Sequence, residues 1–384
     1  MSPRRTRRIL LAVTSTQSLR LLAGFPEYLA RSGWDVHVVC SNPPSDQIIA
    51  GCTVHEVHMR REPSPMIDLV SFVRWVWLLS RLRPDLVVAG TPKAGLLGMV
   101  AAALLRVPLR VYMLRGLRLS TETGRRRQIL ALIERLTVWA STHVQAVSFS
   151  LRDEFVAAGL APANKVIVVG HGSSNGVTVP REAHEETAKE ARQRLGLPPA
   201  RTVGFVGRMH PDKGITTLLE ALHFSSDSPR WQALLIGPED QPGFLDQQLS
   251  ALPPSVRKRV VYIGEIPDPS THYGAMDLLA LPTLREGFPN VVLEAAVHGT
   301  PTVASDVTGC RDAVVDGVTG LLVRPSDPRA LADAIERVLS NPSLRDRLGL
   351  RARERVSHHF RREDVWQLTA DLYSSLHTNC RSGA

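Results

Sequence analysis

The stretch LPTLREGFPNVVLEAAVHGTPTVASD, residues 281–306, contains the turn from a strand into a helix and then a second strand. It begins where an apolar strand ends, and a helix is predicted to start near Pro289 or Asn290. Gly299 ends that helix, and the apolar run Thr302–Ala304 follows as the next strand. Two strands joined by a helical crossover lie parallel in one sheet. The stretch therefore predicts an α/β fold.

The same alternation runs through most of the chain. Strand-like runs in the first half are Ile9–Thr14, Val36–Cys40, Val54–Met59, Leu86–Ala89, Leu109–Leu114, Val144–Val147 and Lys165–Gly170. The helix-like stretches between them are Leu19–Arg31, Met66–Leu82, Lys93–Leu105, Arg126–Ala140 and Ser150–Ala158. The second half adds six strand-like runs: Thr202–Val206, Ala233–Ile236, Val260–Ile263, Leu278–Leu281, Thr302–Ala304 and Leu321–Val323. This alternation predicts doubly wound parallel sheets covered on both faces.

A polar break separates the two runs of alternation. Residues 171–200 are rich in Gly and Pro and contain one short charged helix. We therefore predict two tandem Rossmann-like domains that face each other across a cleft. The first covers residues 1–178 and the second residues 179–360, and a C-terminal helix in residues 361–384 is predicted to pack back on the first domain.

The composition is that of a soluble globular protein with unevenly distributed charge. The formal net charge of the 384 residues is +9. Residues 1–180 hold 22 Lys and Arg against 11 Asp and Glu, a net of +11, and the remainder hold 24 against 26, a net of −2. The four cysteines lie far apart without CxxC spacing, which implies neither a disulfide framework nor a zinc site. The basic first half indicates an anionic partner: nucleic acid, an anionic membrane surface or a phosphorylated substrate.

Two cations follow a strand in VGFVGRMHPDKGITTLLEAL, residues 203–222. Gly207 lets the backbone turn, and Arg208 and Lys213 then lie at the carboxyl end of the strand, where doubly wound sheets bind ligands. Two cations in that position suit a diphosphate. Two solvated cations in an ordinary turn are the alternative, and the spacing is not that of a P-loop.

Two glutamates bracket the start of the helix in the stretch quoted first. Glu286 precedes the helix and Glu294 lies inside it, eight residues later. The first turn of a helix has unpaired N–H groups and a partial positive charge, which together favour phosphate. Carboxylates on either side suit hydroxyl-rich groups, a sugar on one side and a ribose on the other. Two unrelated solvated glutamates are the alternative.

Taken together, these residues resemble the retaining glycosyltransferases of family 4, which have the GT-B fold. The likeness is carried by Gly207-Arg208, Lys213-Gly214, Gly237, the Glu286-Gly-Phe-Pro … Glu294 spacing and GTPTVASDVTGCRDAVVDGVTGLLV at residues 299–323. It implies that Arg208 and Lys213 bind the donor diphosphate and that Glu286 binds the donor sugar, which makes these three the candidate catalytic residues. The nucleotide-binding positions that it implies are Gly207, Gly237, Ile266, Gly287, Phe288, Pro289, Asn290, Val291 and Glu294.

The first domain resembles bacterial members that make capsule, exopolysaccharide or O-antigen on polyprenyl-diphosphate-linked acceptors. The segments that carry this likeness are MRREPSPMIDL at 59–69, TPKAGLLGMVAA at 91–102, YMLRGLR at 112–118 and GHGSSNGV at 170–177. Lys93, Arg115 and His171 are the acceptor-side candidates, and the segment that carries His171 is interpreted as an interdomain hinge and cleft wall. Many members carry a histidine where Arg115 falls, and an arginine cannot act as a general base at neutral pH.

The resemblance predicts transfer of a hexose or N-acetylhexosamine from a UDP-linked donor, with GDP as the alternative nucleotide and with retention at the anomeric carbon. The chain has no Asp-x-Asp triplet, so we expect no metal cofactor, with fixed positive charge stabilising the leaving diphosphate instead. One alternative is a GT-B enzyme that acts on a soluble small molecule. An alternative of another class is a basic nucleic-acid-binding protein, which no helix-turn-helix, RNP or zinc-finger pattern supports.

Aromatic and cationic residues recur together on two helix-like stretches of the first half. Trp75 and Trp77 lie among arginines in residues 66–82, and Trp139 ends a helix that three arginines open. Such residues suit the headgroup region of a membrane, whereas core aromatics with solvated arginines are the alternative. The apolar run near the start, Ile9–Val13, is shorter than that of a signal peptide. The longest apolar stretch, Leu96–Leu114, contains two arginines and a proline, so it does not predict a membrane span. We therefore expect a cytoplasmic protein that binds the inner face of the cell membrane peripherally.

Overall fold

A computed structural model describes residues 6–22, 24–43, 49–60, 62, 64–180, 188–225 and 231–382. The chain forms two compact units. One comprises Met1–Asn175 together with Glu363–Ala384, and the other comprises Gly176–Arg362.

A seven-stranded parallel sheet forms the centre of the first unit. Its strands are β1 (Arg7–Ser15), β2 (Trp34–Ser41), β3 (Cys52–Glu56), β4 (Leu86–Ala89), β5 (Leu109–Leu114), β6 (His143–Ala146) and β7 (Val166–Val168). The helices between them are α1 (Phe25–Arg31), α2 (Pro65–Leu82), α3 (Pro92–Leu104), α4 (Gly124–Ala140) and α5 (Phe149–Ala157). The strand order is β3-β2-β1-β4-β5-β6-β7. The direction of winding therefore reverses between β1 and β4, which makes this the switch point of the sheet.

A six-stranded parallel sheet forms the centre of the second unit. Its strands are β8 (Arg201–Val206), β9 (Trp231–Ile236), β10 (Val260–Gly264), β11 (Leu278–Leu281), β12 (Thr302–Ser305) and β13 (Gly320–Val323). Its helices are α6 (Ala188–Arg194), α7 (Ile215–Phe224), α8 (Phe244–Ser250), α9 (Pro254–Arg257), α10 (Ser270–Tyr273), α11 (Asn290–Val297), α12 (Cys310–Ala313), α13 (Pro328–Leu339) and α14 (Pro342–His359). The order is β10-β9-β8-β11-β12-β13, which places the switch point between β8 and β11.

Alternate residues of the second sheet face two separate apolar layers. Val203 and Phe205 of β8 pack in the same cluster as α7 and α13, whereas Val206 packs in the cluster that contains Val292 of α11. Burial on both faces is what a parallel sheet requires, and it explains why its strands are continuous apolar runs. The core thus holds β8 and β11 rigidly, with their carboxyl ends free to carry functional loops.

The last helix, α15 (Arg362–Ser382), belongs to the first unit except for its first residue. The Tyr373 hydroxyl donates a hydrogen bond to Gln145 Oε1 on β6 at 3.0 Å. The Trp366 indole donates to Asn175 Oδ1 at 2.7 Å. Both residues of α15 are buried, so this helix is an integral part of the first unit.

Two predicted elements differ from those in the structure. Leu19–Arg31 is not one helix: a 3-10 helix at Thr16–Leu22 is separated from α1 by Gly24, whose φ of 79° breaks the helical path. The third strand is Cys52–Glu56 rather than Val54–Met59, because β2 ends at Ser41 and leaves no ladder to extend. The Ser41 hydroxyl contacts the carbonyl oxygens of Val57 and Met59 instead.

A buried carboxyl group on α4 gives the first unit a pH-dependent stability. Glu134 Oε1 accepts a weak hydrogen bond from the Tyr112 hydroxyl at 3.4 Å, and Oε2 has no partner among the described residues. Burial raises the pKa of Glu134 from 4.5 to about 7. The folded chain therefore holds this proton more tightly than the unfolded chain, so the stabilisation is complete below about pH 4.5 and is lost as the pH rises through 7.

We expect Glu134→Gln to remove this dependence. Between about pH 4.5 and pH 8, the free energy of unfolding of the unsubstituted chain should fall by about 3 kcal/mol relative to that of the variant. Urea denaturation of both proteins across this range measures the difference. Parallel profiles would show that Glu134 ionises alike in the folded and unfolded chains.

Candidate functional site

The switch point of the second sheet brings two predicted segments together. The loop after β8 carries Lys213, and the loop after β11 carries Glu286. Because β8 and β11 are neighbours, these loops emerge side by side from the carboxyl edge. Open α/β sheets bind their ligands at this position.

Lys213 and Glu286 form an ion pair at the switch point. Lys213 Nζ lies 2.6 Å from Glu286 Oε1, and the two side chains are 24% and 12% exposed. Lys213 ends a 3-10 turn that begins at Pro211, and Gly214 follows it with a φ of 71°. A cation and a carboxylate are therefore both presented at the mouth of the crevice, where a substrate with phosphate and hydroxyl groups would contact both.

Further contacts fasten the two loops to each other. The Asp212 carbonyl accepts hydrogen bonds from Leu284 N at 2.8 Å and from the Thr283 hydroxyl at 3.0 Å. The Asp212 carboxylate pairs with Arg285 at 2.6 Å. Sequence reasoning missed Asp212 and Arg285, although both lie in the quoted stretches and carry opposite charges. These contacts fix the separation of Lys213 and Glu286 before any ligand binds.

Several predicted glycines lie where backbones touch. Gly237 has a φ of 136°, and a Cβ on it would lie 2.0 Å from the Gly207 carbonyl oxygen. A Cβ on Gly309 would lie 2.5 Å from the Gly287 carbonyl oxygen. The missing side chains thus let these loops pack backbone against backbone, which no other residue type would allow here.

Arg208 and Ile266 follow their predicted strands but contact different groups. Arg208 donates to the Asp240 carboxylate, a partner that sequence reasoning missed, and its own side chain is 45% exposed. Ile266 follows β10 and is half-buried against the apolar cluster that contains Tyr273. The structure therefore brings together Lys213 with Glu286 and Gly207 with Gly237, and it gives Arg208 a separate acidic partner.

The start of α11 is shaped as the sequence predicts. The helix begins at Asn290, and its N-cap residue Pro289 has no side-chain acceptor for the amides of the first turn. The Phe288 ring packs against Phe360, with 5.4 Å between centroids. This contact anchors the residue before the helix, so the first turn, which includes Val291, keeps a fixed direction.

Glu294 lies on α11 with one oxygen already bonded. The Tyr273 hydroxyl donates to Glu294 Oε2 at 2.6 Å. Burial raises the pKa of Glu294, while the hydrogen bond from Tyr273 opposes that rise. Tyr273 was missed because the sequence gives no signal that α10 and α11 touch. The contact orients the carboxylate through Oε2.

The predicted acceptor-side residues all lie on the first unit, and Lys93 is paired within the protein. Lys93, in the first turn of α3, pairs with Asp68 at 2.8 Å and donates to the Glu62 carbonyl oxygen. Its charge is therefore compensated within the protein. His171 lies exposed in a turn after β7, and Arg115 follows β5.

The described residues contain neither a candidate metal cluster nor a candidate membrane-spanning helix. Within those ranges, no three His, Cys, Asp or Glu side chains are grouped closely enough to hold a metal ion. None of the helices there combines the length and apolarity that a bilayer crossing needs.

Two protein-family models match the chain. One, described as "Glycosyl transferase 4-like domain", matches residues 22–172. The other, described as "Glycosyl transferases group 1", matches residues 200–341. The two matches fall on the two structural units.

Two curated relatives align at similar identity but over different lengths. The capsular polysaccharide biosynthesis glycosyltransferase CapM of Staphylococcus aureus is 32% identical over 373 residues, 97% of this chain and 98% of CapM. A D-inositol 3-phosphate glycosyltransferase of Corynebacterium glutamicum strain R is 32% identical over 229 residues, 57% of this chain and 53% of that relative. The second alignment thus spans about half of either protein.

One solved structure that is similar to this chain is that of Anabaena HepE in complex with UDP and glucose. The TM-score is 0.77 at 22% identity, with 96% of this chain and 100% of HepE covered. This likeness, together with the seven- and six-stranded sheets, confirms the predicted fold class.

Proposed function

Since the chain belongs to the glycosyltransferases that join a 4-like domain to a group 1 domain, we propose that it moves a sugar from a nucleotide diphosphate donor to a polyprenyl-diphosphate-linked saccharide during surface polysaccharide synthesis. The observation that carries this proposal is the Lys213–Glu286 ion pair at the switch point of the second unit. CapM, the relative that aligns over nearly its whole length, supports the polysaccharide class of acceptor.

In the proposed reaction, cations and amides stabilise the leaving group. Breaking the bond between the anomeric carbon and the phosphate oxygen leaves negative charge on the nucleoside diphosphate. Lys213, Arg208 and the first turn of α11 supply positive charge for it. Because the Asp212 contacts fix the Lys213 loop in advance, this charge needs little rearrangement during the reaction.

The two glutamates are proposed to hold hydroxyl groups of the donor. Glu286 accepts hydrogen bonds from the sugar, and Glu294 accepts them from the ribose through Oε1. Retention at the anomeric carbon follows from the resemblance to family 4. UDP is the proposed nucleotide because HepE was solved with UDP and with UDP-glucose. A hexose or an N-acetylhexosamine is the proposed sugar.

A soluble acceptor is the second candidate. The similarity to D-inositol 3-phosphate glycosyltransferases favours it, because the acceptor in that name is a small water-soluble molecule. The two candidates share the donor site and differ only in what the first unit binds.

A donor screen tests the proposal. The full chain is incubated with UDP- and GDP-linked hexoses and N-acetylhexosamines, with an undecaprenyl-diphosphate-linked saccharide or with inositol phosphate as acceptor. Nucleotide release that requires the lipid-linked acceptor supports the first candidate, and release that requires inositol phosphate supports the second. No release with any pair would refute both.

We expect transfer to continue without divalent metal ions. Lys213, Arg208 and the α11 start supply the positive charge that a metal would otherwise provide. After exhaustive dialysis against EDTA, the rate should stay within about twofold of the untreated rate, because dialysis does not remove these side chains and amides. A loss of activity that Mg²⁺ or Mn²⁺ restores would contradict the expectation.

Part of the predicted membrane surface is exposed on the first unit. We use the term apolar surface for the exposed residues of α2 and α4: Met66, Leu69, Val70, Val73, Trp77, Ile129, Leu132, Leu136 and Trp139. Both helices pack on α3. Trp77 and Trp139 are 57% and 72% exposed, whereas Trp75 is fully buried, so the core interpretation is right for Trp75.

Arginines accompany this apolar surface. Arg81 lies over the Trp77 ring at 5.0 Å, and Arg125, Arg126 and Arg127 are exposed at the start of α4. Amphipathic helices with aromatic and basic residues bind the headgroup region of anionic bilayers. We propose that this surface docks on an anionic membrane, which would bring the first unit to a lipid-linked acceptor.

The double substitution Trp77→Ala with Trp139→Ala is expected to lower liposome binding by roughly tenfold or more, since it removes two interfacial anchors. Co-sedimentation with vesicles containing phosphatidylglycerol measures the change. Leu350→Ala is the matched control, because Leu350 is 58% exposed but lies on the second unit. Equal binding by the double variant and the unsubstituted chain would contradict the proposal. Equal binding of the unsubstituted chain to neutral and to anionic vesicles would also contradict it.

A further inference from the structure

The first sheet has its own pocket at its carboxyl edge. This pocket spans the ends of β1, β4 and β5, next to the switch point between β1 and β4. Apolar side chains form much of its wall, among them Leu11, Val88 and Phe25, and α15 contributes Tyr373. Arg115 supplies the only full charge among the residues that line it in the described part of the chain.

The Arg115 guanidinium is largely unpaired. Nη2 donates to the Leu21 carbonyl oxygen at 3.2 Å. Nε and Nη1 are both buried, and neither has a hydrogen-bond partner among the described residues. No Asp or Glu within those ranges forms an ion pair with this arginine.

Its neighbours do not compensate this charge. The Tyr373 hydroxyl, which also lines the pocket, donates to Gln145 instead. Gly90 lies beside the guanidinium, and a Cβ there would be 3.0 Å from Arg115 Nε. Burial lowers the pKa of Arg115 to about 10, so the group remains a cation at neutral pH.

A buried cation without a partner lowers the stability of the folded chain. Native proteins satisfy almost all buried polar atoms, so two unsatisfied nitrogens on one side chain call for an explanation. A ligand that supplies acceptors to these nitrogens explains why Arg115, the one charged residue among the described residues that line the pocket, lies there.

We propose that this pocket binds an oxyanion on Arg115, a carboxylate or a phosphate group of the molecule that enters the first unit. The planar guanidinium presents N–H groups in the geometry that both anions accept. The residues of this pocket belong to the first unit, whereas the proposed donor residues belong to the second. The proposal therefore does not depend on the donor assignment, and it predicts that the molecule bound here is acidic.

The test measures anion-dependent stability in the full chain. Arg208→Ala with Lys213→Ala serves as the background, because it removes the other cations proposed to bind phosphate. Thermal unfolding is followed in phosphate, acetate and chloride at equal ionic strength. In this background we expect phosphate or acetate, but not chloride, to raise the midpoint by several degrees in a saturable manner.

Substitution of Arg115 gives the discriminating result. Arg115→Met in the same background should abolish the anion-dependent shift. It should also raise the midpoint without added anion by roughly 2–4 °C, because it removes an unpaired buried charge. A structural arginine predicts the reverse, a lower midpoint and an unchanged response to anions.

Each anion response has one interpretation. A shift by phosphate alone assigns a phosphate-bearing ligand, and a shift by acetate alone assigns a carboxylate. No shift by either anion, or an equal shift in Arg115→Met, overturns the site. If Arg115→Met does not fold, Arg115→Gln is measured instead, and failure of both variants to fold identifies a structural role and overturns the site as well.

Discussion

Replacing Glu286 by glutamine is expected to reduce sugar transfer by roughly 100-fold or more while the chain stays folded. The amide keeps the volume of the side chain but loses the charge that pairs with Lys213 at 2.6 Å. Glu286 lies in a loop after β11 rather than in the core, so the loss falls on the reaction and not on the fold. Initial rates with saturating donor measure the effect, and circular dichroism checks the fold.

Glu354→Gln is the matched control for this variant. Glu354 also forms an ion pair, with Arg351 at 2.9 Å, but on the exposed surface of α14. Its activity should equal that of the unsubstituted chain, since exposed pairs contribute little. Near-normal transfer by Glu286→Gln would remove the central assignment of the donor site.

Lys213→Ala should produce a loss of similar size. Because Lys213 is proposed to contact the diphosphate and Glu286 the sugar, the loss in the double variant should approach the product of the two single losses. A double variant little worse than either single variant would show instead that the two residues act only as a pair.

The second large effect is expected from Gly214→Ala. Gly214 has a φ of 71°, and its Cβ would lie 1.9 Å from the Pro282 carbonyl oxygen. The methyl group would force apart the two loops that Asp212 joins. We expect the free energy of unfolding to fall by about 4 kcal/mol or more, because backbone strain and a steric clash add.

Gly243→Ala separates these two causes. Gly243 has a φ of 79°, close to that of Gly214, but nothing lies within 4 Å of its Cβ position. It should lose only about 1–2 kcal/mol from the left-handed conformation. Urea denaturation of both variants gives the comparison. Equal losses would show that the approach of Pro282 to Gly214 imposes no constraint.

Strand–helix alternation predicted the fold because it depends on local periodicity. The numbers of strands, seven and six, follow from apolar runs long enough to be buried on both faces. The helix and strand bounds that were predicted wrongly depend on backbone geometry and on neighbouring strands. The helix predicted over Leu19–Arg31 breaks at Gly24, and the strand predicted to reach Met59 stops where Ser41 ends its neighbour.

The candidate site was predictable only in part for the same reason. Residues that follow strands could be placed at a sheet edge, which brought Lys213 and Glu286 to one point. No sequence pattern shows that Tyr273 reaches Glu294, that Asp68 neutralises Lys93, or that Arg115 has no acidic partner among the residues that the structure describes. Such pairings arise between elements far apart in the chain.

The placement of α15 makes the first unit discontinuous, since its sequence is interrupted by the whole of the second. During synthesis, the second unit has all its residues before the first unit has its last helix. The final packing of Tyr373 against β6 therefore waits until the chain is nearly finished. Production of the first unit by itself would require α15 to be joined to residue 175 by a linker. Simple truncation after residue 175 would expose the surface that α15 covers.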